Sequence, residues 1–143
     1  MESKGKIGSA FWALRAGLGA TAFLTGADKF TNLLTNWGKY VTPEADEKLP
    51  VSRENFMRVV GVVEMLVGAG ILSPRTRVSS YSAAAWLLAI AGNLWLNKDY
   101  DVAIRDVNMA IAAFALGQLS GARKELSRRQ KFSQQYPYVH EAA

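Results

Sequence analysis

The sequence predicts an all-α integral membrane four-helix bundle, with N- and C-termini cytoplasmic and a short interfacial helix in the first external loop. Three observations lead there. Four long, nearly uncharged segments, at about 7–27, 56–73, 78–97 and 102–121, interrupt an otherwise charged chain. Each is close to the ~20 residues a helix needs to cross ~30 Å of hydrocarbon. None alternates polar with apolar residues as a half-buried strand would.

The first segment, IGSAFWALRAGLGATAFLTGA (7–27), carries a single charge, Arg15. After it, Phe30, Leu33, Leu34, Trp37 and Val41 recur at helical spacing with polar residues between, which predicts an amphipathic helix on the outer surface. Thr42-Pro43-Glu44 suits the start of a further short turn, with proline at the first helical position. Ser52 is placed to cap the second span, with Val51 and Phe56 as a hydrophobic staple. That span (56–73) holds Arg58 and, in its apolar middle, Glu64. The third (78–97) has no charge, and the fourth (102–121) has charges only at its head, Arg105 and Asp106. Residues 1–122 therefore form the membrane domain, and 123–143 a basic, aromatic cytoplasmic tail containing the only histidine, His140.

Composition removes several function classes. The chain of 143 residues is half hydrophobic, fits one domain by length and has no cysteine, so disulfides, thiolate metal sites and cysteine nucleophiles are excluded. One histidine does not build a haem or zinc site alone. The net charge of +5 gathers at segment ends, most densely in ARKELSRRQK (122–131), as in a juxtamembrane segment facing anionic lipid; no nucleic-acid module accompanies it. A soluble bundle would show a polar stripe on every helix, and the third and fourth segments show none. A cleaved signal peptide is disfavoured by Arg15 within the apolar stretch and by a chain that starts at Met1.

Lysine and arginine counts set the orientation. The side of the termini holds Lys4, Lys6, Arg75, Arg77 and the tail, whereas the opposite side mixes its lysines with Glu44, Asp46, Glu47, Asp99 and Asp101. Trp12, Trp37 and Trp95 fall near span ends, as interfacial aromatics do. At 1.5 Å per residue, Arg15 lies ~12 Å from the inner start of its span and Glu64 ~12 Å from the outer start of its own. The two are then natural partners in a buried ion pair and a possible proton or ligand site. Glu64 shares a face with Gly61 and Gly68, which predicts that this face packs against a helix. Asp106 heads a similar stripe of Ala110, Ala113, Gly117 and Gly121. Asp28, Lys29, Arg58, Asn93, Arg105, Asp106 and Asn108, with Asn97, converge at the outer level as a polar cluster, either a lock on the bundle or a vestibule for a quinone head group or small anion.

LRAGLGATAFLTGADKF (14–30), GVVEMLVGAGILSPRTR (61–77) and IRDVNMAIAAFALGQLSG (104–121) resemble the DoxX-like family of small bacterial and archaeal membrane proteins. The matching positions are Arg15, Asp28, Lys29, Glu64, Arg105 and Asp106. The resemblance implies a four-helix bundle in the bacterial cytoplasmic (inner) membrane and a link to quinone-coupled electron transfer. The expected function is that of a non-catalytic accessory or assembly subunit of a respiratory or photosynthetic electron-transfer complex. Its partners would be other membrane subunits and lipids, without nucleic acid; it would carry no cofactor of its own, with lipid, quinone or pigment in contact. The alternative is a stand-alone quinone- or small-anion-handling protein using the Arg15–Glu64 pair. Histidine triads, phosphate loops and other catalytic constellations are missing, so enzyme activity in this chain alone is not expected. A transporter is disfavoured, because no broken-helix pattern or inverted repeat is present.

Overall fold

The computed structural model describes residues 2–48 and 50–136; most of the aromatic end of the tail, with His140, lies outside the described residues. Five α-helices and one 3-10 turn make up the fold: α1 (Glu2–Asp28), the 3-10 turn Trp37–Tyr40, α2 (Pro43–Lys48), α3 (Arg53–Leu72), α4 (Thr76–Leu96) and α5 (Tyr100–Gln135). No strand occurs among the described residues.

The helices pack as two antiparallel pairs, α1 with α3 and α4 with α5, joined through α1–α5 and α3–α4 contacts. Glycine sets the first pair. A Cβ on Gly61 would lie 2.5 Å from the Gly26 carbonyl oxygen, and one on Gly68 would lie 2.7 Å from the Gly19 carbonyl oxygen. Glycines seven residues apart on each helix therefore bring the two backbones into direct contact, twice. In the second pair, buried Ala83 and Ala84 face Ala113 and Leu116, and Gly117 accommodates the Tyr81 ring. Phe11 and Ile71 complete the core. The expected small-residue stripe on α5 is this contact: Asp106, Ala110, Ala113 and Gly117 are all buried.

Three helices, α1, α3 and α5, are long and apolar enough to cross a membrane. Helix α4 is not among them, although it has no charge beyond Arg77. Its serines, Tyr81 and Asn93 lower its hydropathy, and Ser80 is fully buried while Ser79 abuts Gly70 of α3. Most of its outward side chains are apolar, with Val78 and Leu96 more than two-thirds exposed, although Arg77 and Ser82 are exposed as well. Leu24, Val59, Leu66 and Ile111 stand outward on the other long helices. Many large apolar side chains thus stand exposed around a partly polar interior.

One expectation is revised, and two helices extend beyond the expected spans. The stretch 30–36 is not an interfacial helix but a turn and two bends leading into the 3-10 turn. The buried Asp28 carboxylate accepts from the backbone N–H groups of Leu33 and Leu34, from Thr31 Oγ1 and from Trp37 Nε1, and Asn32 takes a left-handed φ of 52°. Those N–H groups are thereby withdrawn from helical bonding. At the other end, α5 does not stop near residue 121. It runs on through residue 135, supported by good helix formers and a Glu125–Arg129 contact of 3.0 Å one turn apart. Helix α1 starts at Glu2, ahead of the expected span. As expected, Pro43 opens a short helix and Ser52 Oγ caps α3 by accepting from Asn55 N–H.

Candidate functional site

The glycine register decides where the charges meet. With Gly26 against Gly61 and Gly19 against Gly68, Arg15 falls at the end of α3 rather than beside Glu64. Its guanidinium donates from Nε to the Ile71 carbonyl at 3.1 Å and from Nη2 to those of Leu72 and Ser73. These carbonyls have no partner within the helix, and a cation there is doubly favourable, satisfying acceptors and opposing the helix dipole. Thr76 Oγ1 donates to Ile71 and Ser73 as well, at 2.9 Å each. The expected Arg15–Glu64 pair is therefore absent. Lys29, one residue past the end of α1, takes Arg15's place, its Nζ lying 2.5 Å from Glu64 Oε2. Both side chains are largely buried, 3% and 12% exposed. Lys29 reaches inward because its Cβ sits in the space left by Gly61.

Beside this pair opens a cavity of about 620 Å³. One face of each long helix lines it. Thr21 and Thr25 of α1, with Lys29 just past its end, lie one turn apart, as do Met57, Val60 and Glu64 of α3. Trp86, Ile90 and Asn93 come from α4, and Arg105, Asp106 and Met109 from α5. Trp37, Tyr40 and Val41 complete the wall from the first connection. That wall is pinned in several places. Trp37 donates from Nε1 to Asp28 at 2.8 Å, and the Lys29 ammonium stands 3.8 Å from its ring centroid. Asn93 Nδ2 donates to the Tyr40 carbonyl at 2.8 Å, and Asn97 Nδ2 to that of Lys39 at 3.3 Å.

Among the described residues, four charged side chains line the cavity, two of each sign. Lys29 pairs with Glu64, and Asp106 is 3.6 Å from the more exposed Arg105. A bound molecule thus meets a site with no net charge. One donor is left over. Trp86 Nε1 is buried and finds no acceptor among the described residues. Trp86, Glu64, Thr25 and Met109 also line a second cavity of about 50 Å³, which continues toward Leu18, Val67 and Ile71. An unmet buried donor costs about 1–3 kcal/mol, so an acceptor beside it is favourable.

The outer polar cluster is thereby divided. Lys29, Asn93, Arg105 and Asp106 line the cavity together with Glu64. Asp28 organises the loop behind Trp37. Arg58 is exposed, with only a 3.4 Å contact to Asn55, and Asn108 is exposed; neither lines the cavity. Trp86, Tyr40, Thr25 and the two methionines were not singled out by sequence, since each reads as an ordinary helical or interfacial residue. Trp12 and Trp95 are more than half exposed, whereas Trp37 turns inward. Among the described residues no group of three or more His, Cys, Asp or Glu is placed to share a metal ion. Comparison with protein-family models, with curated proteins and with solved structures finds no match. The resemblance to the DoxX-like family therefore rests on the quoted motifs alone.

Proposed function

We propose that this chain is a four-helix membrane protein, with both termini in the cytoplasm, that binds a neutral amphipathic small molecule between its helices. Its polar head would lie beside Lys29, Glu64 and Trp86. The observation that carries this reading is the cavity of about 620 Å³. Its walls are mostly apolar and aromatic, and its charges balance. That combination of size, apolar lining and a few convergent polar groups is what small-molecule sites have. A carbonyl compound with a flat ring suits it, the carbonyl accepting from the Lys29 ammonium that lines the cavity. A quinone is the class in view. An anion is disfavoured, because Lys29 is already compensated.

Titration of the purified protein with a short-chain benzoquinone tests this, using the fluorescence of Trp37 and Trp86. The expected result is saturable quenching that weakens at least tenfold in Val60→Phe, which projects a ring into the cavity beside Glu64. Quenching that rises linearly without saturation and is unchanged in Val60→Phe refutes the reading.

A second reading is an accessory or assembly subunit of a membrane electron-transfer complex. It is supported by the run of α5 through residue 135, which carries Leu126 and Phe132 in exposed positions, with exposed Tyr136 following its last turn. Stoichiometric co-elution of redox subunits with the tagged protein supports it, and a solitary protein in mild detergent refutes it.

A further inference from the structure

The end of the bundle where α3 turns into α4 holds a second cluster, away from the cavity. Phe11 and Trp12 of α1 pack edge to face, ring centroids 5.6 Å apart. Two guanidinium groups lie over them. The Arg15 carbon is 4.7 Å from the Trp12 centroid and 5.8 Å from that of Phe11. The Arg123 carbon, from α5, is 4.2 Å from the Phe11 centroid and 5.9 Å from that of Trp12. Two like charges thus share one aromatic pair, and neither has a carboxylate partner among the described residues. Arg15 spends Nε and Nη2 on carbonyls, leaving its Nη1 edge. Arg123 has no hydrogen-bond acceptor among the described residues and offers a complete planar fork. Stacking fixes such a fork while leaving its in-plane N–H groups to an oxyanion.

The depth of the cluster identifies the anion. Arg15 caps the last turn of α3, a helix of 20 residues, hence ~30 Å long and matched to the hydrocarbon layer. The cluster therefore stands at head-group level. Trp12 is 54% exposed there, and Leu72 and Val78 at the same end present apolar surface to acyl chains beside the exposed Arg75 and Arg77. We infer that Arg123 and the free edge of Arg15, laid on Phe11 and Trp12, bind the phosphate of an anionic phospholipid. This rests on the reading that the chain crosses the membrane, but not on the cavity's ligand.

The test places the full chain in nanodiscs of equal phosphatidylglycerol and phosphatidylcholine, then identifies lipid retained after transfer to mild detergent by native mass spectrometry. A basic side chain at the membrane surface is expected to enrich the anionic lipid ~5-fold. Wild type should show at least that enrichment and Arg123→Gln should lose it. Arg128→Gln, which removes an equal charge further along α5, should keep it. Equal retention of the two lipids by wild type overturns the inference without reference to any variant. So does loss of enrichment in Arg128→Gln, which would mean diffuse charge, or displacement of the lipid by millimolar inorganic phosphate, which would mean a site for a soluble anion. Failure of the protein to enter the discs would defeat the membrane reading itself, an outcome distinct from parity in inserted protein.

Discussion

Substituting Gly61 by alanine tests the contact on which the register of α1 and α3 depends. The added Cβ would stand 2.5 Å from the Gly26 carbonyl oxygen and 3.0 Å from Lys29 Cβ. Ordinary contact begins at 3.4 Å, so α1 must retreat by about 0.9 Å where it meets α3. The obstacle is backbone, which cannot swing aside as a side chain can. Overpacking of this kind costs about 1–3 kcal/mol. Helical preference works in the opposite direction, since alanine is favoured over glycine by about 0.5–1 kcal/mol in a helix interior. Gly92 isolates that second effect, because a Cβ there meets nothing within 4 Å. Thermal melts in detergent should put Gly92→Ala at or above wild type and Gly61→Ala below it by on the order of 5 °C. Because Lys29 is displaced as well, Gly61→Ala should also weaken quinone quenching. If Gly61→Ala melts as high as Gly92→Ala, the close backbone approach is wrong, and with it the placement of Arg15 and Lys29.

Removing one member of the buried Lys29–Glu64 pair strands the other: Lys29→Met or Glu64→Met should each lose ~3–5 kcal/mol, and the double variant should regain most of it when melted alongside. Helix α4 ends with Asp99 N–H bonded to the Leu94 carbonyl and Lys98 N–H to that of Trp95, with Lys98 at a left-handed φ of 65°. Glycine suits that position, so Lys98→Gly should raise stability by about 1 kcal/mol and Lys98→Val should lower it. On the outer surface, Arg53 donates to Asp46 and holds its carboxyl below the ordinary value of 3.8. A carboxyl whose folded pKa is depressed stabilises above its unfolded pKa, and that contribution disappears as pH falls through the folded pKa. The difference in melting between wild type and Asp46→Asn should therefore close on acidification below the ordinary value; a gap that persists or widens refutes the assignment.

The long helices were legible because apolar length and missing charge are local properties. What sequence could not supply was the register between them. Counting Arg15 and Glu64 from the estimated span ends put them at one level, but the glycine contacts set α1 along α3 so that Lys29 arrives at Glu64 instead. The glycines flanking Glu64 did predict which face packs, though not against which residue. The loop after α1 carries a helical pattern in Phe30, Leu33, Leu34 and Trp37, yet one carboxylate, Asp28, takes the backbone donors that a helix would need. A tertiary contact of that kind has no spacing signature. Within the candidate site, the charged residues stood out as exceptions in apolar surroundings. Trp86 did not, because its significance lies in an acceptor that the fold fails to provide.

The cap that Arg15 places on α3 has a consequence for biogenesis. As α1 leaves the ribosome it carries a guanidinium whose acceptors have not yet been synthesised, since Ile71, Leu72 and Ser73 lie more than fifty residues downstream. An arginine within an isolated apolar helix costs about 2.5–3.5 kcal/mol on translocon-based insertion scales. Helix α1 should then settle in the membrane poorly by itself and well once α3 follows, the two entering as a hairpin. Glycosylation mapping of chains truncated before and after residue 73 measures this. Inefficient insertion of the shorter chain, corrected by Arg15→Leu, is the expected result, and full insertion of both chains would show that α1 needs no help.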